Sequence, residues 1–534
     1  MLSLKLPIPI EDNKPKISDL KSCMLWLASL QLTNVQAAHI EIIQQLQQLN
    51  HYKLPLRERL KIVEQLRETV VYTQAKMAKR YEGKPVPFGP AEQQAWDNVC
   101  QLWRALELAY QFCMQGCLDN DAEVSEHVAL ITQRCLRCAG LLMLEHYRAY
   151  RQVDEKLWHQ LHNLYAYAES RGYAEMAVKD SLNALSETSS CVAVYVQATL
   201  INLANPYQFS FKQINLLDRW LDKWGARVAV NANRSTSSEH AEIAVDLSGA
   251  SNTTPTQSDN LRYLDTQRLS EGLRKRIKFL RKGGAPAELD IGKDCSQPGC
   301  ESFLTLLYKQ WCEMPTGRIC ERRLSGSVAH VSFGMPAMHF FINGKKPFEQ
   351  TDKEASLDWK AVQELQMFGH VTERSVDLRA EQLGFALEAW QMQDESALGF
   401  CLRRQVQGSD RIGHNQLLAL RPDDSRQFVL GVVCWLTLTL DGGLVLGVRV
   451  LPGVPAAIGI RSIGNNNPGQ SKRVPALMLP SVAALQTGPS LILPSGWFQP
   501  GKMLEVYNPA VQYLKLQALL EKGVDYERVS FVAA

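Results

Sequence analysis

Residues Trp390–Arg404 read WQMQDESALGFCLRR, and this stretch decides how the C-terminal half of the chain folds. It reads as a β-strand, a tight polar turn and a second strand. The turn carries Asp394, Ser396 and Gly399 in the spacing D-x-S-x-x-G. Asp394 can accept two hydrogen bonds, and the Ser396 hydroxyl both donates and accepts. Gly399 permits a positive φ and lets a ligand come close to the backbone. A carboxylate and a hydroxyl held at a rigid strand end suit the Watson–Crick edge of guanine, which presents N–H donors.

Upstream, RICERR holds Arg318 and Arg322, the only arginines in the chain spaced by four, with Arg323 beside them. A strand-like run, Ser327–Phe333, follows directly. A guanidinium fork grips a phosphate bidentately and stacks on a purine face, which lysine does poorly. Taken together, R-x-x-x-R before a strand and D-x-S-x-x-G at a later strand end resemble the two signatures of the PilZ domain. That family is a small antiparallel β-barrel that binds cyclic di-GMP. The resemblance implies a ligand site built from Arg318, Arg322, Arg323, Asp394, Ser396 and Gly399, the arginines on phosphate and guanine and the turn on the guanine end. The two motifs stand further apart than in compact PilZ domains, so a helical segment around Lys353–Phe368 is expected as an insertion. Arg374 and Arg379 are nearer to the turn but are spaced by five.

The rest of the chain frames that barrel. At 534 residues it is long enough for several domains, and 46% hydrophobic residues suffice for packed cores. A net charge of +3 gives no bias toward polyanion binding at the level of the whole chain, so any anion site must be local. The start of the chain lacks a signal-peptide pattern and no apolar run is long enough to span a membrane. Thirteen cysteines without an extracellular signal point to free thiols in a cytoplasmic protein.

Residues from about Ser18 to Leu221 show helical periodicity, for example Leu56, Leu60, Val63, Leu66 and Val70 on one face. Lys156–Gly172 resembles the first helix of a tetratricopeptide repeat, and the whole reads as stacked helical hairpins. After Gly225 come two short strand-like runs, then a basic helix expected over Tyr263–Lys282, then a helix over Glu301–Glu313. Ser327–Phe341 contains strand-like runs broken by Gly334 and Pro336. Leu417–Leu420, Phe428–Leu436 and Leu444–Leu451 are strands between short turns, and five further short strands follow from Ala456 to Leu520. The expectation is a multidomain α+β chain. It has an α-helical interaction domain (1–225), a mixed connecting region (226–317), a PilZ-like β-barrel with its insertion near 350–380 (318–455), and a C-terminal β extension (456–534).

Other chemistry finds less support. Cys113/Cys117 and Cys135/Cys138 have zinc-like spacing but lie on apolar helix stripes, where cysteine behaves as a small hydrophobe. The quartet Cys295, Cys300, Cys312 and Cys320 is irregularly spaced. His330, His339 and His370 form no metal pattern. No histidine sits in the Asp394 turn to activate Ser396, so no catalytic, metal or cofactor site is expected. The basic helix lacks aromatic interleaving, and nucleic acid is not expected as a partner. The reading is a non-enzymatic cyclic di-GMP receptor that turns ligand binding into a changed contact with a protein partner of the helical domain. The competing reading is a scaffold whose PilZ-like barrel is degenerate and binds no nucleotide.

Overall fold

The computed structural model describes residues 4–8, 14–182, 187–234, 242–249, 260–289, 291–292, 295, 299–313, 321–348, 367, 380–404, 408, 410–463, 472–508 and 510–534. Arg318, Arg374, Arg379, Cys320, His370 and the expected helix over Lys353–Phe368, apart from Met367, lie outside them. The chain forms two compact units, residues 1–84 with 88–317 and residues 85–87 with 318–534.

The first unit is led by helices α1 (Leu20–Ser29), α2 (Val35–His51), α3 (Leu56–Ala78), α4 (Pro90–Leu118), α5 (Val128–Arg148) and α6 (Glu155–Ser170). A two-residue ribbon, β1 (Val178–Lys179) with β2 (Thr188–Ser189), precedes α7 (Cys191–Leu203) and α8 (Phe211–Trp224). Local chemistry fixes the helix starts. Asp19 and Ser22 make a capping box for α1, Ser210 and Gln213 make one for α8, and Pro90 opens α4 where its missing N–H costs nothing. Each helix turns an apolar stripe inward, so that Leu60, Val63, Leu66 and Val70 of α3 are all buried.

The connecting stretch joins the same core. Strands β3 (Ala229–Asn231), β4 (Ile243–Asp246) and β5 (Leu261–Asp265) form an antiparallel sheet with β5 central. Helices α9 (Gln267–Arg281) and α10 (Gly299–Cys312) bury Leu273, Ile277, Leu304 and Trp311 in the core that α1–α8 share. Trp311 Nε1 donates to the Leu200 carbonyl at 3.0 Å, which ties α10 to α7. The basic helix is therefore shorter than its sequence suggests. Tyr263 is in a strand, and Asp265 Oδ1 accepts the Gln267 N–H at 2.9 Å, setting the first turn two residues later. Its cations are also less free than expected, since Arg274 donates to the Tyr308 hydroxyl and Arg281 to Glu301.

The second unit is two barrels in series. Strands β6 (Arg323–Leu324), β7 (Val328–Phe333), β8 (Glu388–Ser396), β9 (Gly399–Arg404), β10 (Leu417–Pro422), β11 (Val429–Leu438) and β12 (Leu444–Val450) make one antiparallel sheet. Because β8 also pairs with β9, the ring β8-β7-β10-β11-β12-β9 closes on itself, and β6 continues the line of β7 along β8. Closure removes free strand edges. Helix α11 (Met335–Ile342) follows β7 where a strand-like run was expected. Gly334, at φ +80°, turns the chain, and Pro336 occupies the first turn of a helix, where proline initiates rather than interrupts.

Strands β13 (Ala456–Ser462), β14 (Val474–Leu479), β15 (Ser490–Pro494), β16 (Met503–Asn508), β17 (Ala510–Lys522) and β18 (Tyr526–Ala533) close a second barrel. Its interior holds Ile458, Ile460, Leu491, Leu493, Leu504, Val506 and Leu514. Strand alternation explains how the barrels join. Leu417 and Ala419 of β10 pack with Leu477, Leu479, Ile492 and Tyr526 of the second barrel, together with Met335 and Met338 of α11.

Candidate functional site

The Asp394 turn is a β-hairpin end. Ser396 pairs with Gly399, and Ala397 and Leu398 form the bend. The register slips between Met392 and Asp394, a bulge that re-aims the strand just before the polar residues. On the other flank of β8, Leu324 stands opposite Asp394 and Arg323 opposite Glu395. This brings the two motifs together across 72 residues of sequence. Arg322 Nη1 lies 2.6 Å from Asp394 Oδ1, with the two side chains 33% and 24% exposed.

Alternation along β6 and β8 places Arg322, Leu324, Asp394 and Ser396 on one face of the ribbon and Arg323 with Glu395 on the other. Arg322 and Arg323 thus do not act side by side. Ser396 Oγ donates to the Gly399 carbonyl at 3.3 Å. Gly399 is buried and does not adopt a positive φ. Its need for glycine is steric, because a Cβ there would sit 2.1 Å from the Val448 carbonyl oxygen on β12. Close strand approach replaces the positive φ that the sequence suggested. Arg403 and Arg404 leave the site, Arg403 to Asp441 and Arg404 inward against the Trp390 ring and Glu388.

Sequence reasoning missed two neighbours. Leu324 is 94% exposed and Leu398 is 51% exposed, one beside the Arg322–Asp394 pair and one in the bend. Leucine in a two-residue hairpin bend is an odd choice for solubility, and that oddity is the signal a sequence reading could have used. Cys401, opposite Asp394, is buried. Burial, with Asp394 adding to it, pushes its thiol up to about 11, so it is a protonated, unreactive neighbour.

The other residues weighed from sequence fall elsewhere. Cys113 and Cys117 donate to the Leu56 and Val124 carbonyls, and burial pushes their thiols up to about 12 and about 11. Among the described residues no cluster of histidine, cysteine and carboxylate side chains is arranged to hold a metal. Cys295 and Cys300 are joined in a disulfide, with their Cα atoms 5.3 Å apart, so the expectation of free thiols throughout fails there. His330 pairs with Asp423 at 2.8 Å, and His339 is buried against Phe348. No helix among the described residues is long and apolar enough to cross a membrane.

Comparison with known proteins divides the chain differently in the middle, where one match crosses the boundary between the two units. Three family models match: the N-terminal domain of the cyclic-di-GMP receptor FimW over residues 21–235, its middle PilZ domain over 249–383, and its C-terminal β-barrel domain over 458–534. The chain is a PilZ-domain protein. The cyclic-di-GMP receptor FimW of Pseudomonas aeruginosa is 23% identical over 548 residues, covering 95% of this chain and 89% of the relative. The PilZ match runs from β5, α9 and α10 of the first unit through β6, β7 and α11 and stops before β8, while the match to the C-terminal barrel spans nearly the whole second ring. The long helical region of this PilZ-domain protein matches a domain of its own rather than a separate protein fused to a barrel.

Proposed function

We propose that this PilZ-domain protein is a non-enzymatic receptor for cyclic di-GMP, with Arg322, Asp394, Ser396 and Gly399 at its site and Arg318 completing it, while Arg323 on the opposite face stays outside it. The observation that carries the reading is the 2.6 Å bond between Arg322 and Asp394, which unites the two motifs at one strand end. The names of the matching relative and family models support the same ligand.

The chemistry follows from exchange of partners. Arg322 and Asp394 satisfy each other in this structure, and both are partly open to solvent. Such a pair contributes only about 0–1 kcal/mol. A ligand that gives Arg322 a phosphate and Asp394 a guanine N–H replaces one weak pair with two charge-assisted hydrogen bonds, each contributing about 1.5–3 kcal/mol. Leu324 and Leu398 offer apolar surface for a purine face beside the polar pair. The output is a change in how the helical unit meets a protein partner, drawn from a pre-existing equilibrium.

Isothermal titration of the full chain with cyclic di-GMP tests this, alongside Arg322→Ala and Asp394→Ala. The expected result is micromolar or tighter binding, weakened roughly 10- to 100-fold in each variant. No heat and no ligand-induced thermal shift in the unmodified chain would leave a scaffold whose barrel binds no nucleotide.

A further inference from the structure

A second cavity opens at the other end of β8 from Asp394. Its volume is about 470 Å³, and it is lined by Phe341, Ile342, Lys345, Leu387, Arg421, Arg426, Phe428 and Val454 among others. We propose that this cavity is a second ligand site of the first barrel and that it takes a nucleoside phosphate. The inference is independent of the cyclic di-GMP reading above, since no residue is shared between the two sites.

Charge comes first. Among the described residues, three cations face the cavity and no aspartate or glutamate lines it. Lys345 is already engaged. The two arginines carry the site. Neither makes a salt bridge with a described carboxylate, and Arg421 Nε is buried without a hydrogen-bond partner among the described residues. A buried guanidinium N–H left unmade is costly, and an anion held by the same guanidinium offsets that cost through charge. The nearby acids do not compete. Asp423 holds His330 at 2.8 Å, and Asp424 is exposed and outside the lining. The carbonyls of Phe340 and Phe341 at the end of α11 accept N–H groups from Lys345 and Gly344, so that helix end does not present bare oxygen to an anion.

Shape and apolar lining narrow the class. The Arg421 guanidinium lies 5.4 Å from the centre of the Phe428 ring, within cation–π range, so that a cation and an aromatic ring stand together in the lining. Phe341, Ile342, Leu387, Phe428, Val454 and Pro455 supply an apolar wall far larger than a bare phosphate needs. The volume falls in the range of small-molecule pockets, about 300–1,000 Å³. An anion with a flat ring, joined at nucleotide length, uses both halves. The wall also includes the link between the barrels at Val454 and Pro455, so a bound nucleotide touches α11, the first barrel and that link at once.

The test titrates the chain carrying both Arg322→Ala and Asp394→Ala, which weakens the first site from both sides, with GMP, guanosine and inorganic phosphate. GMP is expected to bind, guanosine and phosphate each to bind at least tenfold more weakly, and Arg421→Gln/Arg426→Gln to weaken GMP by tenfold or more. Arg421→Lys, which keeps the charge but loses the planar guanidinium fork, is expected to recover part of the loss, and thermal melting of each variant reports whether the barrel stays folded. GMP binding that is absent, or unchanged in the double variant, overturns the site. Phosphate binding as tightly as GMP overturns the nucleotide assignment and leaves an adventitious ion only.

Discussion

The first barrel joins Arg322 to Asp394 at 2.6 Å with side chains 33% and 24% exposed; the second joins Arg473 to Glu505 at 3.1 Å with side chains 9% and 8% exposed. Both are arginine–carboxylate pairs at the ends of β-strands in closed six-stranded rings. Burial separates them. The first pair can lose its partner to a ligand at little cost, because water screens what is left. The second cannot do so as cheaply, because Arg473, held against the Tyr507 ring, would lose a buried carboxylate that water does not replace. Exposure therefore marks the pair at Asp394 as available for recognition and the pair at Glu505 as part of the fold.

The largest effect expected from this contrast comes from Glu505→Ala. Breaking a buried pair from one side costs about 3–5 kcal/mol. Since the chain has more than one unit, a single unfolding midpoint is a poor readout. Hydrogen exchange of β13, β16 and β17 is the better one, and those strands are expected to lose protection while β8 and β9 keep theirs. Equal loss in both barrels would mean that they unfold as one cooperative block and that the comparison between them is not energetic.

Next comes Arg322→Ala, whose effect belongs to binding. Cyclic di-GMP affinity is expected to fall roughly 10- to 100-fold, with stability changed by less than about 1 kcal/mol. A large loss of exchange protection in β8 would turn the Arg322–Asp394 pair into a structural feature like that of Glu505.

How far the sequence discloses this contrast depends on the element. Long amphipathic helices are legible because Leu60, Val63, Leu66 and Val70 repeat on one face, and the strands after Phe385 are legible because turns separate them. Strand β5 is hidden, since LRYLD is continuous with a strongly helical run and only its pairing with β3 and β4 makes it a strand. Helix α11 is hidden because proline is read as a break unless its place in a first turn is known. The closing of each ring is invisible to periodicity, which says which residues face inward and nothing about which strands pair. The same limit applies at the Asp394 turn. The motif singles out Arg318 and Arg322 and leaves Arg323 as a substitute for either, and only the register along β8 puts Arg322 and Arg323 on opposite faces. Gly399 is noticed from its residue type, yet the Val448 carbonyl that requires it comes from β12, far along the chain. Burial of Glu505 has no sequence signature at all.

Acid gives a milder form of the Glu505 experiment. Burial raises the Glu505 carboxyl, but hydrogen bonds and charge from Arg461 and Arg473 outweigh it and hold the group below the usual carboxylate range. A carboxyl lowered on folding contributes stability that is fully present above its unfolded value, about 4.3, and is lost as pH falls through the folded value. The second barrel is accordingly expected to lose exchange protection, corrected for intrinsic rate, as the solution is acidified below that range, and Glu505→Ala to abolish this dependence. Acid loss that persists in the variant would trace to another carboxylate.

The smallest effect separates two serines. Ser396 Oγ donates to the Gly399 carbonyl at a long 3.3 Å at the rim of the first barrel, and Ser490, fully buried in the second, accepts a hydrogen bond from Arg528 Nε at 3.0 Å. A neutral hydrogen bond contributes about 0.5–1.5 kcal/mol, or roughly two- to twelvefold in an equilibrium constant. If Ser396 meets the ligand, Ser396→Ala lowers cyclic di-GMP affinity by about that factor and leaves the melting profile alone. Ser490→Ala does the reverse: it strips a partner from Arg528 and costs stability in β15 and β18 without touching affinity. Should Ser396→Ala cost stability and spare affinity instead, the serine serves the bend, and the ligand's guanine end rests on Asp394 alone.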